Sequence, residues 1–454
     1  MKNKRQNDLG KDKISSLVLR LTIPSMVAQL VNVLYSIVDR IFIGNIPGDG
    51  ALALAGAGVC GPIVTLLSSF GTLVGLGGSI LFAIRLGEKK NDAARQILNN
   101  CFLMLVTLSL FLTLSFLLLR KPLLYCFGAS DTIFPYANTY LTIYTAGTFF
   151  ALLSVGMNYF ITSQGFSLLG MCSVVIGAVC NIILDPLFIF TFDMGIAGAA
   201  VATVLSQAAS CFFVLIVLFG RRLPIRIGFG GYRLHLMRRI IVLGLSPFLI
   251  LATDSIILIA LNAMLQKYGG ENQGDMLIAC ATIIQSYMML ITSPMLGITG
   301  GCQPIISFNY GAKQPQRVRD AVRRILLCCI VFTGSMFLVS QALPQYFVHI
   351  FTNAPAYIEL SVWGIRIFTA MIIPLSFQYT FVDSLTALGA THIALSLSLF
   401  RKGLYFACTC IFPLIWEAKT AFCAEPAADL TAAVVSSVTF WMVFEKWLSM
   451  GSSA

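Results

Sequence analysis

Apolar residues run along this chain in stretches much longer than a globular core needs, and short polar segments separate them. Twelve such stretches fall at about 15–44, 53–84, 96–119, 132–160, 168–192, 196–220, 240–265, 276–308, 322–343, 358–388, 393–416 and 426–447. Roughly 20 apolar residues in a helix cross the ~30 Å hydrocarbon layer of a bilayer, so each stretch predicts one membrane span. Helix is the expected conformation because lipid offers no partner to backbone N–H and C=O groups. The loops are short and leave no room for a soluble domain. The expected fold is an all-α polytopic membrane protein with 12 transmembrane helices.

Composition agrees with that pattern. Of 454 residues, 57% are hydrophobic and 11% charged, and the mean hydropathy is +0.86, which excludes a soluble multidomain enzyme. The net charge of +11 does not call for nucleic acid, because the basic residues sit in short loops where topology explains them. Twenty-two of the 30 Lys and Arg residues fall in the N-terminal segment to Arg20, the loops at 85–95, 221–239 and 313–324, and at Lys446. Four (Arg120, Lys121, Lys267, Lys419) lie on the opposite side and four (Arg40, Arg366, Arg401, Lys402) within spans. That bias places both termini in the cytoplasm. The first twenty residues hold no cleavable apolar segment, so no signal peptide is expected to be removed. The thirteen cysteines are scattered, mostly in apolar runs, and read as small packing residues.

The chain also repeats. Gly311 follows Gly87 by 224 residues, Gly389 follows Gly165 by 224, and Pro247 follows Pro24 by 223. All sit at equivalent points of the hydropathy pattern. Six helices followed by six in the same orientation predict two six-helix bundles related by a pseudo-twofold axis along the membrane normal, an arrangement used by transporters. The expected organisation is a first lobe at 1–220, a basic cytoplasmic linker at 221–239 and a second lobe at 240–454.

Ionisable residues inside spans carry the chemistry. A carboxylate at the bilayer centre costs at least about 2.5–3.5 kcal/mol, so it faces a cavity or a partner. Asn181 and Asp185 lie four apart on one helical face, and Pro186 has no N–H for the carbonyl of Ile182. Tyr35 and Asp39 share a face of span 1 in the same way. Spans 1 and 5 both run outward, which puts Asp39 and Asp185 at similar depth beyond the midpoint. Low dielectric and mutual repulsion make such a pair able to hold a proton near neutral pH, or to share a sodium ion; the bland reading is neutralised interhelical glue. Asn158 on span 4 and Thr203 on span 6 are candidates to complete the pocket. Asp254 in span 7 is a second-half candidate. Asp383, with Tyr379 four residues before it, is expected near the cytoplasmic end of span 10. Glu425, Pro426 and Asp429 read as a helix start rather than a site. Arg401 and Lys402 need carboxylate or carbonyl partners that the sequence does not name. There is no Gly-x-x-x-x-Gly-Lys-Ser/Thr loop, no HExxH and no nucleophile–base set, so no catalytic residue, metal centre or cofactor is expected. Transport without ATP then needs an ion gradient.

These features resemble a bacterial multidrug and toxic compound extrusion (MATE) transporter, within the superfamily that includes polysaccharide and lipid-precursor flippases. The resemblance rests on Pro24 through Val38-Asp39-Arg40-Ile-Phe-Ile-Gly44, on Asn181-x-x-x-Asp185-Pro186, on Gly301-Cys-Gln303-Pro304 through Asn309-Tyr310-Gly311-Ala312, and on Ala424-Glu425-Pro426-x-Ala-Asp429. It implies two six-helix lobes in a V, alternating access, and drug efflux driven by inward Na⁺ or H⁺. It also implies a first-lobe cation site at the positions of Asp39, Asn181, Asp185 and Thr203, with Tyr35 and Asn158 lining the cavity. Some members use a helix-7 carboxylate and a helix-10 aspartate instead. Asp254 suits the first; Asp383 departs from the second, whose position holds Phe377 here. Lys402 stands where the family usually has glutamine.

The expected function is a monomeric secondary antiporter of the bacterial cytoplasmic membrane. It would export amphipathic, cationic organic compounds in exchange for H⁺ or Na⁺. The alternatives are a flippase of lipid-linked oligosaccharide, whose pyrophosphate would want a basic cavity, and a membrane enzyme or passive channel.

Overall fold

The computed structural model describes residues 8–127, 129, 131–351 and 354–453. Among these there are helices and connecting turns, with no strand. Ten helices are long and apolar enough to span a bilayer, and two bent helix pairs bring the number to twelve. The helices are α1 (Ile14–Gly44), α2 (Gly50–Gly87), α3 (Asn91–Cys126), α4 (Phe134–Ala146), α5 (Thr148–Ser163), α6 (Ser167–Pro186) and α7 (Gly195–Phe219). They continue as α8 (Leu234–Gly311), α9 (Pro315–Ala342), α10 (Pro344–Val348), α11 (Pro355–Phe368), α12 (Ile372–Ala387), α13 (Thr391–Ile415) and α14 (Ala424–Ser453). α8 is one 78-residue helical run that contains two candidate spans, Leu234–Asp254 and Met276–Gly311, where the hydropathy pattern predicts two separate helices.

Spans 4 and 10 are broken. α4 and α5 meet at Gly147 with a bend of 55°, and α11 and α12 meet near Met371 with a bend of 47°. The breaks stand about 224 residues apart, as the repeat requires. The repeat also governs the backbone between helices. Gly165 and Gly389 both adopt positive φ (86° and 83°), and so do Lys89 and Lys313 (61° and 54°). A non-glycine residue rarely adopts this conformation, so its recurrence at the same offset means that the two turns are built alike.

The chain forms two compact units, one of residues 1–12 and 27–251, the other of 13–26 and 252–454. In the first, glycines let helices approach closely. A Cβ on Gly156 would lie 2.6 Å from Leu105, and one on Gly244 would lie 1.8 Å from the Leu73 carbonyl oxygen. The basic segment between α7 and α8 is held against this unit. Asn99, Asn100 and Gln164 side chains accept from the backbone N–H groups of Gly228, Arg233 and Ile225 at 2.8–2.9 Å, while Leu223, Ile225 and Ile227 are buried. In the second unit, small residues of α8 receive the start of α1. A Cβ on Gly301 would meet Ser25 Oγ at 2.3 Å, and Thr22 is 3.2 Å from Cys302 Sγ. Ser307 donates to the Ala387 carbonyl at 2.8 Å, and Arg317 donates to Asn309 at 2.8 Å. The Gln-Pro through Asn-Tyr-Gly string thus joins α8 to α12 and to the start of α9.

Gly389→Ala isolates the backbone term, since a Cβ there meets nothing within 4 Å and only the positive φ opposes it. It should destabilise the detergent-solubilised protein by about 1–2 kcal/mol in thermal unfolding. Gly403→Ala, inside α13 and equally open, should be neutral or stabilising by about 0.5–1 kcal/mol.

Candidate cation site

In the first unit the site grows from a proline. Pro186 ends the α-helical run of α6, and residues Leu187–Thr191 follow as a π-helical turn. Losing one N–H loosens the ladder and the chain widens by a residue, a device common at functional positions. The turn that precedes this widening holds Asn181 and Asp185, both buried, with Asn181 Nδ2 donating to Asp185 Oδ1 at 3.1 Å. Asp39 of α1 comes from the other side, its carboxyl group within hydrogen-bonding reach of that of Asp185. Two charged carboxylates are acceptors only, so a proton or a cation is what joins them. Asp39 Oδ1, Asp185 Oδ2 and Asn181 Oδ1 have no hydrogen-bond partner among the described residues.

Tyr35 lies in the field of Asp39, Asp185 and Tyr144, and Tyr140 in that of Asp39 and Tyr35. Tyr140 and Tyr144 stack with ring centroids 6.3 Å apart, and Gln207 Nε2 donates to the Tyr144 hydroxyl at 3.2 Å. Sequence reasoning missed these two tyrosines. Their signal is the spacing Tyr136, Tyr140, Tyr144, one face of α4 repeated each turn.

Thr203 is placed by helix register. Ser210 Oγ donates to the Ser173 carbonyl at 2.8 Å, and a Cβ on Gly198 would lie 2.7 Å from the Phe188 backbone. The antiparallel α6–α7 pair therefore sets Thr203 level with Asn181. Its hydroxyl donates to Ala199 at 3.0 Å and keeps oxygen lone pairs free to ligate. Asn158 does not join the pocket. Its Nδ2 donates to the Gly170 carbonyl at 3.3 Å, and Gly170 precedes Asp185 by fifteen residues, about 22 Å along α6.

The second-unit candidates separate. Asp254 on α8 pairs with Lys402 of α13 and is half exposed, so it is not a free carboxylate. Tyr379 lies near Arg401, Asp254, Asp429 and Glu425. Arg401 is buried and binds both acids of α14, with Nε to Asp429 at 2.7 Å and Nη2 to Glu425 at 2.5 Å. This corrects the reading of Glu425 and Asp429 as a helix start alone: they are the partners that Arg401 requires. Asp383 faces neither group; its neighbours are Thr299 and Gln303 of α8.

A family model, MatE, matches residues 24–187 and again 248–411, the second match starting 224 residues after the first. The chain belongs to the MatE family. Two relatives, both named Multidrug export protein MepA, are 22% identical to it. That of Staphylococcus aureus aligns over 445 residues, covering 96% of each chain. That of Staphylococcus haemolyticus aligns over 392 residues, covering 86% of this chain and 85% of the relative. Two solved structures show the same fold. One is described as an outward-facing multidrug resistance MATE family transporter of the MOP superfamily, 22% identical over all of both chains with a TM-score of 0.90. The other is a MOP superfamily transporter from Pyrococcus furiosus with reverse polarity of its binding pocket. It is 21% identical over 98% of this chain and 99% of that one, also with a TM-score of 0.90. This MatE chain is an all-α multi-pass membrane protein.

Removing Arg401 leaves two buried acids without their cation. Arg401→Gln should cost roughly 3–5 kcal/mol in thermal unfolding. Lys402→Ala, which frees a half-exposed partner, should cost no more than about 1 kcal/mol. Equal losses in the two variants would contradict the pairing described above.

Proposed function

We propose that this MatE protein is a secondary active antiporter that exports amphipathic, cationic organic compounds in exchange for an inward cation. One observation carries the reading: Asp39 and Asp185 meet, with Asn181 beside them, inside one unit of a MatE-family chain. Asp39 and Asp185 bind the coupling H⁺ or Na⁺, and Asn181 and Thr203 serve as neutral ligands. Tyr35, Tyr140 and Tyr144 supply hydroxyls and ring faces, and ring faces suit organic cations. The multidrug export named for the staphylococcal relatives supports drugs as substrates.

Binding a cation neutralises the carboxylate pair, so the field that attracts a cationic drug is lost and the drug is released. Inward charge movement contributes about 2.3 kcal/mol per charge per 100 mV. The loops rich in Lys and Arg support cytoplasmic termini in the plasma membrane. Both repeats lie in one chain, which supports a monomer as the working unit. A lipid-linked pyrophosphate substrate fits less well, because the charges facing one another in this site are acidic.

Efflux of a fluorescent organic cation from proteoliposomes, under sodium and pH gradients imposed separately, tests the reading. One gradient should drive efflux in the parent protein. Asp39→Asn or Asp185→Asn should lower the driven rate by roughly 5–150-fold, equivalent to ~1–3 kcal/mol of coupling. Driven efflux that survives both substitutions would refute the assignment, and gradient-independent conductance would indicate a channel.

A further inference from the structure

The segment that joins α7 to α8 is more than a topology signal. It carries Arg221, Arg222, Arg226, Arg233, Arg238 and Arg239 and no lysine, whereas the basic segments at 1–20, 85–95 and 313–324 all mix the two. No acidic residue occurs between Asp193 and Asp254. All six arginines are exposed, as is Arg95 of α3, whose guanidinium lies against the Gly228 backbone. None of the seven forms an ion pair among the described residues. Charge that only orients a chain in the membrane can be lysine or arginine. Arginine adds planar forks of donors that match phosphate oxygens in pairs.

The backbone holds these side chains in place. Leu223, Ile225 and Ile227 are buried, and Arg222 and Arg226 between them face outward. The Ile227 N–H donates to the Leu218 carbonyl at 3.1 Å, and Asn100 Nδ2 donates to the Gly231 carbonyl at 3.1 Å. A surface fixed before its ligand arrives loses little freedom on binding.

Two apolar side chains stand among the arginines. Phe229 and Leu234 are 79% and 82% exposed, more than any other large apolar side chain among the described residues. The ring of Phe229 lies 6.2 Å from that of Phe219 at the end of α7. Phe212, Ile216 and Phe219 form an exposed apolar stripe along that candidate span. Phe229 therefore extends a lipid-facing stripe into the basic segment. A soluble polyanion would cover the arginines and leave Phe229 and Leu234 in water. A phospholipid covers both, with its phosphate on the arginines and its acyl chain on the stripe.

We infer that the α7–α8 segment, together with Arg95, is a binding surface for anionic phospholipid of the surrounding bilayer. The surface lies wholly within the first unit and stands whether or not Asp39 and Asp185 perform the coupling.

Thermal unfolding of the purified full-length protein in detergent, titrated with phosphatidylglycerol, phosphatidylcholine or inorganic phosphate, tests the inference. Phosphatidylglycerol should raise the unfolding temperature saturably, and the other two should not. Arg222→Gln/Arg226→Gln should weaken the apparent phosphatidylglycerol affinity roughly 25-fold, about fivefold for each charge beside an anionic surface. Phe229→Ser should weaken it roughly tenfold. Arg323→Gln/Arg324→Gln, which removes the same charge from α9, should leave it unchanged. Equal losses in the two double variants would overturn the surface, and so would phosphatidylcholine or inorganic phosphate protecting as well as phosphatidylglycerol. Size exclusion confirms that each variant is folded. If Arg222→Gln/Arg226→Gln fails to fold, Phe229→Ser carries the test, and unchanged affinity overturns the surface. Transport is not part of this readout, so failure of the antiport reading shows separately, in the efflux assay.

Discussion

A charge taken into an apolar helix bundle must be compensated, and the acids of this chain divide by what compensates them. Arg401 holds Glu425 and Asp429, and Lys402 holds Asp254. These are fixed countercharges of the protein itself, and a fixed pair has no need to take up or release an ion. Asp39 and Asp185 face one another with only the exposed Arg40 in the field of Asp39, and Asp383 has only the neutral side chains of Thr299 and Gln303 beside it. These acids have no basic partner within the described residues, and a proton or cation from outside the chain is the compensation proposed for Asp39 and Asp185. Permanent partners therefore mark the structural acids, and missing partners mark the acids to which a transport role is proposed.

The spans were legible because their signal is additive. Twenty apolar residues outweigh any single exception, and helix is the one conformation that satisfies each strand of backbone alone in lipid. Asn181 and Asp185 were legible for a related reason, since an i, i+4 relation is local and survives any tertiary arrangement. What failed to show were contacts between helices distant in sequence. Nothing local links Arg401 to Asp429 or Lys402 to Asp254. Asn158 looked equivalent to other polar span residues until helix packing set it beside Gly170, at the far end of α6. The bends at Gly147 and Met371 were hidden as well, because hydropathy averages over a break of one or two residues. The linker is a milder case. Its basic residues concealed the alternation of Leu223, Ile225 and Ile227, which buries one face while Asn99, Asn100 and Gln164 satisfy the backbone.

The duplication also shows what a repeat keeps and what it releases. Backbone geometry is preserved across the 224-residue offset, in the paired positive φ values and the paired breaks. Ionisable chemistry is not. The position equivalent to Asp185 is Thr409, that of Asp383 is Tyr159, and that of Arg401 is Gly177. At Gly177 a Cβ would lie 2.4 Å from Ser210 Oγ, so the first unit has a close helix crossing where the second buries an arginine. Turn and break positions answer to steric rules that any copy of the scaffold must obey. Each buried charge answers only to its local partners, and those can be exchanged within one unit without disturbing the other.

This division bears on how far a shared fold informs function. At about 22% identity the relatives keep the helices and the turns, and a TM-score of 0.90 is reached even by a transporter whose pocket polarity is reversed. A fold that tolerates inversion of its pocket charge does not dictate a substrate. Specificity has to be read from the uncompensated groups. In this chain those groups are acidic, which agrees with the positively charged cargo proposed above. The same acids also impose an order on binding. In the proposed exchange, a cation seated between Asp39 and Asp185 would remove the charge that holds a cationic drug, so that ion and drug would compete for one field.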